Sequence, residues 1–578
     1  MRYDQLLVVL TFWVRKMNKI LERIKKNVDL KNILIIVIVY FIAHWFLLMV
    51  SGYWWDDAVL IHKKHEEMAE FYSQNGAVLG GLFTYSVIWL PAGGYRVCVF
   101  TEFLLSSIFV YYVLKDSELL SDNECFWISL IFSVVPVNDA RTLISCYGYS
   151  CTFFLFWLAF FLVTKWYKKT GIMHWVIRCF TWPILFTAFS TESVIAFCGL
   201  IILYLYYKDY KNVVKDFSSF GKFVRGIPVV VIRNIDYIIV PMVYWFVKSM
   251  FFKPWGPYEN KNVFTLKTLL STILHLPSSM YGTTWSVIDN YLGQISILSL
   301  IIADVCIAVF IFGFIKNKRW KKIEDRPYYK SFIGLGIGIL SYATGIFPYS
   351  VVRGGGSIAV NGRGGRDSLL LALGISLCIY YLVELIIHPY VRSICFVVVI
   401  VLGIFHFNYS YMQYQQEWYE ELELENKISS TKDILDNNTF LVLFTSDKPG
   451  GSGSFYCMNI NSFDVTGEQT RAFWQNLSYV TGEAWQDYFL HGYGMDDYDT
   501  SDTGLDGVLL FDNKALSKKD ILRLKFKEIF LYDEFISEIN ARDRIEYINC
   551  DENNRGILYE LNDQGRVNYS TLNEALVR

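Results

Sequence analysis

Blocks of about 20 consecutive apolar residues recur along most of the chain, separated by short polar segments. A helix of that length crosses the roughly 30 Å hydrocarbon layer of a bilayer. The stretch at 76–90 precedes Pro91 and is interpreted as a helix lying in the outer interface. The remaining blocks predict eleven transmembrane helices, near residues 32–50, 96–114, 125–137, 150–165, 176–190, 193–207, 227–247, 291–315, 331–349, 367–387 and 393–409.

The composition agrees with a membrane protein. Of the 578 residues, 53% are hydrophobic and 19% are charged, whereas soluble domains carry about 25% charged residues. The expected fold class is an α-helical polytopic membrane protein with a small C-terminal soluble α/β domain. The lipid bilayer is the first expected partner, and no nucleic acid is expected.

Basic residues predict the orientation, because cytoplasmic loops are enriched in Lys and Arg. The loops KWYKKTGIMHWVIR, KDYKNVVKDFSSFGKFVR and KNKRWKKIEDR all fall on one side when the N-terminus is placed inside. Residues 1–31 are then a cytoplasmic, basic amphipathic segment, and 32–409 form the membrane core. The predicted location is the plasma (cytoplasmic) membrane, with the C-terminal domain outside.

Residues 410–578 differ in character from the core. TFLVLFTS, GVLLFDN and EIFLYDEF are short apolar runs between turn signals, a pattern typical of buried strands. The domain also holds Cys457 and Cys550, whose pairing stays open. The stretch DYFLHGYGMDDYDTSDTG (487–504) is interpreted either as part of a glycan groove or as a solvated loop.

Two adjacent carboxylates follow directly on the first predicted span, in MVSGYWWDDAVLIHKKHEE (49–67). Their mutual repulsion raises the pKa of one of them. One interpretation is an acidic pair that solvates the loop, with Trp54 and Trp55 as interface anchors. The alternative is that Asp56 or Asp57 is a general base for a sugar hydroxyl or a metal ligand.

Other ionisable residues are expected at the outer ends of spans. NDAR (138–141) carries Asp139 and Arg141, and Glu192 lies in a short turn between two spans. Charged groups at membrane depth are costly and are therefore candidates for function. Glu192 is equally consistent with a carboxylate in the first turn of a helix.

A glycine-rich loop, RGGGSIAVNGRGGRDS (353–368), carries Arg353, Arg363 and Arg366. Backbone N–H groups and helix N-termini bind anions, and arginine binds phosphate bidentately. We expect the next helix to begin at Asp367–Ser368. A flexible surface loop is the alternative, but three arginines outside run against the positive-inside trend, which favours a phosphate site.

A carboxylate and a phosphate site on one face indicate a reaction on a lipid-linked phosphate sugar. An acceptor hydroxyl needs one base, and a leaving phosphate needs charge stabilisation. A glycosidase would need two carboxylates flanking the bond.

On these residues the chain resembles the GT-C superfamily of polytopic glycosyltransferases. In that family the first span delivers an acidic motif to the first outer loop, followed by interface helices and an Arg-bearing second span. WWDD (54–57) matches the acidic motif. GGLFTYSVIWLPAGGYRVCVFTEFLLSSIFVYYVLKD matches the interface helix and second span, with Arg96 at its start. The resemblance covers roughly residues 30–410.

The resemblance implies an outer-face glycosyltransferase that moves a sugar from a polyprenyl-phosphate donor to a glycan or glycolipid acceptor. Asp56 or Asp57 would be the base, and Arg363 or Arg366 would hold the donor phosphate. The adjacent acidic pair is not a spaced DxD, so a divalent cation such as Mg²⁺ or Mn²⁺ is an open question and no metal ligand is assigned. The alternatives are a polymerase or ligase acting on lipid-linked oligosaccharides and a lipid-linked sugar transporter or flippase.

Overall fold

The computed structural model describes residues 28–54, 57, 60, 65–211, 220–259, 265–292, 328–353, 355–386, 388–430, 439–444, 471–476, 507–511, 516–542 and 545–549. Residues 1–27 of the predicted N-terminal segment (1–31) lie outside the described residues. The predicted span at 291–315 falls almost wholly outside it.

Helices dominate the described part of the chain. In order they are α1 (Val28–His44), α2 (His65–Gln74), α3 (Val78–Ile88), α4 (Ala92–Ser117), α5 (Asp122–Phe132), α6 (Tyr147–Tyr167), α7 (Ile172–Ala188), α8 (Val194–Asp209), α9 (Phe220–Arg233), α10 (Ile235–Phe251), α11 (Leu266–Leu292), α12 (Tyr328–Arg353), α13 (Leu371–Glu384) and α14 (Pro389–Ser430). Short 3₁₀ helices lie at Trp45–Leu48, Asp139–Thr142, Ile144–Cys146, Gly256–Tyr258 and Gly362–Ser368.

Five described helical segments are long and apolar enough to cross a membrane. The number becomes six if Gly226–Arg233 and Ile235–Phe251, which meet at a bend of 62°, form one broken span. α3, α7 and α13 are shorter apolar helices. The chain is therefore a helical protein with several candidate membrane spans. The five helical segments long and apolar enough to cross a membrane are Val28–Leu48, Gly93–Ser117, Ile144–Tyr167, Tyr328–Val352 and Val391–Glu420.

Ion pairs gather where α4, α6 and α8 end and where α1, α7 and α10 begin. We call this the ion-pair end of the bundle. Its pairs are Lys115–Asp29, Lys165–Asp116, Lys168–Asp116, Lys208–Glu118, Lys211–Glu118, Arg233–Asp209 and Arg178–Asp236. The described residues 165–178 and 208–211 of the first two basic loops lie here. Asp57, Glu192 and Arg366 lie at the opposite end, which we call the site end.

α14 has 42 residues and a length of about 60 Å, roughly twice the hydrocarbon layer of a bilayer. The predicted domain boundary at 409/410 therefore falls inside one continuous helix. Beyond it the described strands are β1 (Thr439–Phe444), β2 (Arg471–Asn476), β3 (Gly507–Phe511) and β4 (Ile545–Asn549), in the sheet order β2-β1-β3-β4. β1 pairs in parallel with β2 and β3, and β4 is antiparallel to β3.

Two helices, α15 (Lys518–Phe530) and α16 (Tyr532–Asn540), lie between β3 and β4 in the chain. The sequence prediction of a strand at 528–535 was therefore wrong, because that run ends one helix and begins the next. Ser517 caps α15 by accepting the N–H of Asp520 at 3.2 Å. The end of α14 packs against both helices through Tyr419, Leu524 and Phe535.

Candidate functional site

Residues 133–146, which we call the central segment, are an irregular stretch of backbone buried inside the bundle. Backbone outside a helix must find hydrogen-bond partners where water is scarce, and side chains distant in sequence supply them. His44 bonds the carbonyl of Ser133 at 3.1 Å, and Asn290 donates to the carbonyl of Pro136 at 3.0 Å. The Tyr95 hydroxyl donates to the carbonyls of Arg141 and Leu143. The Ser368 Oγ accepts the N–H of Asn138 at 2.8 Å.

Arg141 serves this same segment. Its Nε donates to the Asn138 carbonyl and its Nη2 to the Val137 carbonyl, both at 2.9 Å. Its guanidinium lies 4.4 Å from the centre of the Phe103 ring. The neighbouring cavity has a volume of about 20 Å³, which fits one water molecule and no sugar or phosphate. Arg141 therefore stabilises the central segment from inside the bundle, and its expected role in substrate binding stays a prediction.

Asp139 is also internal. Its Oδ1 lies 3.0 Å from Nε2 of His406, and both side chains are buried. The pair links the central segment to α14. The structure therefore places Asp139 inside the bundle, and its expected role in substrate binding stays a prediction.

Asp57 is the described carboxylate of the acidic motif, and it lies against the start of the 3₁₀ helix Ile144–Cys146. Its Oδ2 accepts the N–H of Ile144 at 3.0 Å and its Oδ1 that of Ser145 at 2.8 Å. The residue is 1% exposed. Burial raises the pKa of Asp57 to about 6, while the N–H groups of Ser145 and Ile144 lower it. Both oxygens are thus engaged in capping the helix that continues into α6.

Arg96 holds the loop that carries this motif. Its Nη1 donates to the Val50 carbonyl and its Nη2 to the Gly52 carbonyl, each at 2.7 Å. The guanidinium lies 5.1 Å from the Trp54 ring, and the residue is 0% exposed. These contacts give Arg96 a positioning role in the structure, and its expected role in substrate binding stays a prediction. Gly52 has a φ of +91°, and a Cβ there would clash with the ring of Trp418 at 2.2 Å.

The glycine-rich loop packs on two sides. The hydroxyls of Ser279 and Thr283 on α11 accept the N–H groups of Gly356 at 3.1 Å and Ile358 at 2.9 Å. Those two amides are therefore committed to the protein. On the other side, Gly365 lies so close to Asp139 that a Cβ would be 3.0 Å from its nitrogen.

The helix after this loop begins later than the sequence indicated. Residues 362–368 form a 3₁₀ helix and α13 begins at Leu371, so the prediction of a helix start at Asp367–Ser368 was wrong. Ser368 is used instead to bind the Asn138 N–H. The anion-binding helix terminus is therefore not formed by Asp367.

Arg366 is the one arginine of the loop whose side chain the structure describes. Its guanidinium lies 5.6 Å from the Tyr149 ring, near the start of α6, and its Nε is 3.7 Å from the Asp367 carboxylate. Burial alone lowers the pKa of Arg366, but the neighbouring tyrosine, cysteine and carboxylate groups outweigh it and the pKa is raised. The side chain is 28% exposed, so this cation lies at an accessible surface.

Glu192 pairs with Lys248 of α10. Lys248 is 13% exposed as a side chain, whereas Glu192 is 38% exposed. Beside this pair, the Ser193 hydroxyl lies 2.8 Å from that of Tyr349. Tyr349 lies near Arg366, so the Glu192 turn adjoins the arginine loop.

Asp56 and the side chains of Arg353 and Arg363 lie outside the described residues, as do Cys457 and Cys550. Among the described residues, no group of three His, Cys, Asp or Glu side chains is arranged to hold a metal ion. Sequence reasoning missed Tyr95, Ser368 and Lys248. Tyr95 precedes Arg96 in the sequence and Ser368 follows Asp367, but neutral side chains gave no sequence signal for a functional residue.

The fold is that of an α-helical protein with several candidate membrane spans. Its acidic-motif loop contacts Ile144 and Ser145, and its arginine loop contacts Tyr149. Comparison with family models, with curated proteins and with solved structures gives no significant match.

Proposed function

We propose that the chain is a membrane glycosyltransferase that moves a sugar from a polyprenyl-phosphate donor to a glycan or glycolipid acceptor at the site end of the bundle. By the positive-inside trend, the ion-pair end faces the cytoplasm and the site end faces outward. The finer organisation, with eleven spans and an outer α/β domain after α14, belongs to the same proposal.

The observation that carries the proposal is the convergence of two separate loops. Asp57 bonds the amides of Ile144 and Ser145, and the Arg366 guanidinium lies over Tyr149. The acidic motif and the arginine loop therefore both contact the first six residues of one helical segment, Ile144–Tyr167. A base and a phosphate-binding cation must be neighbours for a single transfer step.

The two motif carboxylates then have different tasks. Both oxygens of Asp57 bond backbone amides, so we assign it to positioning and Asp56 to general base catalysis. The acceptor oxygen attacks the anomeric carbon and its proton passes to the Asp56 carboxylate. The bond between the anomeric carbon and the phosphate oxygen breaks, and the leaving phosphate keeps that electron pair. Arg366, with Arg363 beside it in the sequence, stabilises the added charge.

The proposal is tested with purified protein in nanodiscs and a panel of synthetic prenyl-phosphate sugars. Turnover should release prenyl phosphate and form a glycosylated product. Asp56→Asn should lower kcat by about 10²–10⁴-fold without lowering thermal stability, because the substitution keeps the side-chain shape. Normal turnover by Asp56→Asn would show that Asp56 is not the general base. Wild-type protein that turns over none of the donors would contradict the proposed function.

A transporter of the same lipid-linked sugar is the second candidate. The observation in its favour is the interrupted helical path through the central segment, with the buried Asp139–His406 pair beside it, since broken helices and internal charges are common in transporters. Vesicle assays separate the two functions. A transporter moves an unchanged donor between leaflets, whereas the transferase breaks its glycosidic bond.

A further inference from the structure

The C-terminal helix α15 reaches back to the loop that carries the acidic motif. The Ser51 hydroxyl donates to Glu528, and Lys525 Nζ lies 2.6 Å from the same hydroxyl. Ser51 precedes the WWDD motif by only three residues. These contacts join positions more than 470 residues apart in the chain.

The contact is a buried charged cluster. The side chains of Lys525 and Glu528 are 9% and 15% exposed and lie 3.0 Å apart. Glu528 also accepts the Tyr419 hydroxyl at 2.9 Å. Burial lowers the pKa of Lys525, against the opposing effect of Glu528. Removing one partner of such a pair leaves an uncompensated charge, so the cluster resists separation.

The same short loop is fixed from its other sides. Arg96 bonds the carbonyls on both sides of Ser51, and Gln415 of α14 accepts the Ser51 N–H at 2.9 Å. The ring of Trp418 lies against Gly52. With α15 in place, residues 50–54 are held by α4, α14 and the C-terminal region together.

We infer that Lys525 and Glu528 are positioning residues that hold Ser51 and thereby set the place of the acidic motif against the central segment. The C-terminal region is on this account a structural part of the site and not only an acceptor-binding appendage. The consequence for catalysis rests on the proposed function, whereas the positioning itself does not.

Hydrogen exchange measured by mass spectrometry tests the positioning directly. In full-length protein in nanodiscs, Glu528→Ala and Lys525→Ala should speed exchange of the peptide covering 49–57 by about tenfold, the order of one lost charge-assisted hydrogen bond. A peptide from α4 should be unchanged. Lys527→Ala is the matched control, because Lys527 lies on the same helix but pairs with Glu538 and Glu534 of α16 and not with Ser51.

Unchanged exchange at 49–57 in folded Glu528→Ala would overturn the inference. If that variant does not fold, Ser51→Ala removes the same contact from the loop side. Its exchange at 49–57 should then be faster, and unchanged exchange would overturn the inference. Glu528→Gln, which keeps the acceptor oxygen, should restore most of the protection.

Kinetics then separate positioning from donor binding. Glu528→Ala should lower kcat about tenfold and leave KM for the prenyl-phosphate sugar within about twofold, because Arg366 is untouched. A changed KM with a normal kcat would contradict the inference that Glu528 positions the motif that carries the general base. Wild-type protein without any transfer would contradict the proposed function, while the exchange result would still decide the positioning.

Discussion

Asp57 and Arg141 show how a charged residue in a membrane bundle can serve the backbone. Asp57 accepts two amides of the central segment, and Arg141 donates to two of its carbonyls. Unsatisfied backbone groups cost about 1–3 kcal/mol each when buried. These residues therefore allow irregular backbone to exist inside the bundle.

The raised pKa of Asp57 predicts a pH dependence of stability. Its pKa is about 6 in the folded chain against 3.8 for the free group. A carboxyl with a raised pKa favours folding below pH 3.8, and that contribution is lost as the pH rises through about 6. The loss is about 3 kcal/mol.

Asparagine at position 57 cannot titrate, so Asp57→Asn should lack this dependence. The free energy of unfolding of wild type minus that of the variant should fall between pH 4 and pH 6 and stay level above pH 7. Denaturation in detergent across this range provides the measurement. A difference that is flat, or that grows with pH, would show that Asp57 is not desolvated as described.

Arg366 should tolerate lysine poorly. Lysine keeps the charge but loses the bidentate fork that matches phosphate. With charge-assisted contacts worth about 1.5–3 kcal/mol, Arg366→Lys should lower kcat/KM for transfer by one to two decades, and Arg366→Ala further. Arg523→Lys is the control, since Arg523 of α15 pairs with Asp520 of the same helix and with Glu538 of α16. If Arg366→Lys and Arg523→Lys lower kcat/KM equally, Arg366 has only a structural role.

At the scale of elements, the arginine loop depends on its close contact with the central segment. A Cβ at Gly365 would lie 3.0 Å from the backbone nitrogen of Asp139 in the central segment and 2.7 Å from the Val360 carbonyl oxygen of the loop itself. Nothing lies within 4 Å of a Cβ at Gly336 of α12. Gly365→Ala should therefore destabilise the protein by about 1–3 kcal/mol.

Gly336→Ala provides the matched control. It should be neutral or slightly stabilising, because alanine is the better helix former. Thermal unfolding in detergent compares the two variants. If both alanines are tolerated equally, the packing of the loop on the central segment is looser than described.

Prediction from sequence succeeds at this scale where the signal is long and local. Five apolar blocks correspond to helices long enough to cross a membrane, and TFLVLFTS contains the strand β1. EIFLYDEF misled because a run of eight residues cannot distinguish a strand from the junction of two helices. The bond from Asp57 to Ser145 spans 88 residues, and no local pattern encodes such a partner.

At the scale of the whole molecule, charge separates the two ends of the bundle. The ion-pair end carries seven lysines and arginines paired with five carboxylates, and the candidate site lies opposite. Cysteine labelling tests the orientation in intact cells. An impermeant thiol reagent should label Glu534→Cys, which lies on α16 of the C-terminal region, and should spare Lys211→Cys at the ion-pair end until the cells are opened.

The background for this labelling should lack Cys179, an exposed native cysteine, and also Cys457 and Cys550. Both introduced positions have side chains about half exposed, so access within the fold is matched. The reverse pattern would invert the protein in the membrane and place the site in the cytoplasm.

The central claim is that a polyprenyl-phosphate sugar binds where the acidic-motif loop and the arginine loop meet. Its most direct test is an experimental structure of the protein with a non-hydrolysable donor analogue in nanodiscs. The account predicts the phosphate within hydrogen-bond distance of Arg366 or Arg363, and the sugar facing Asp56. A phosphate bound at the ion-pair end, or on the far side of α11 from the glycine-rich loop, would contradict it.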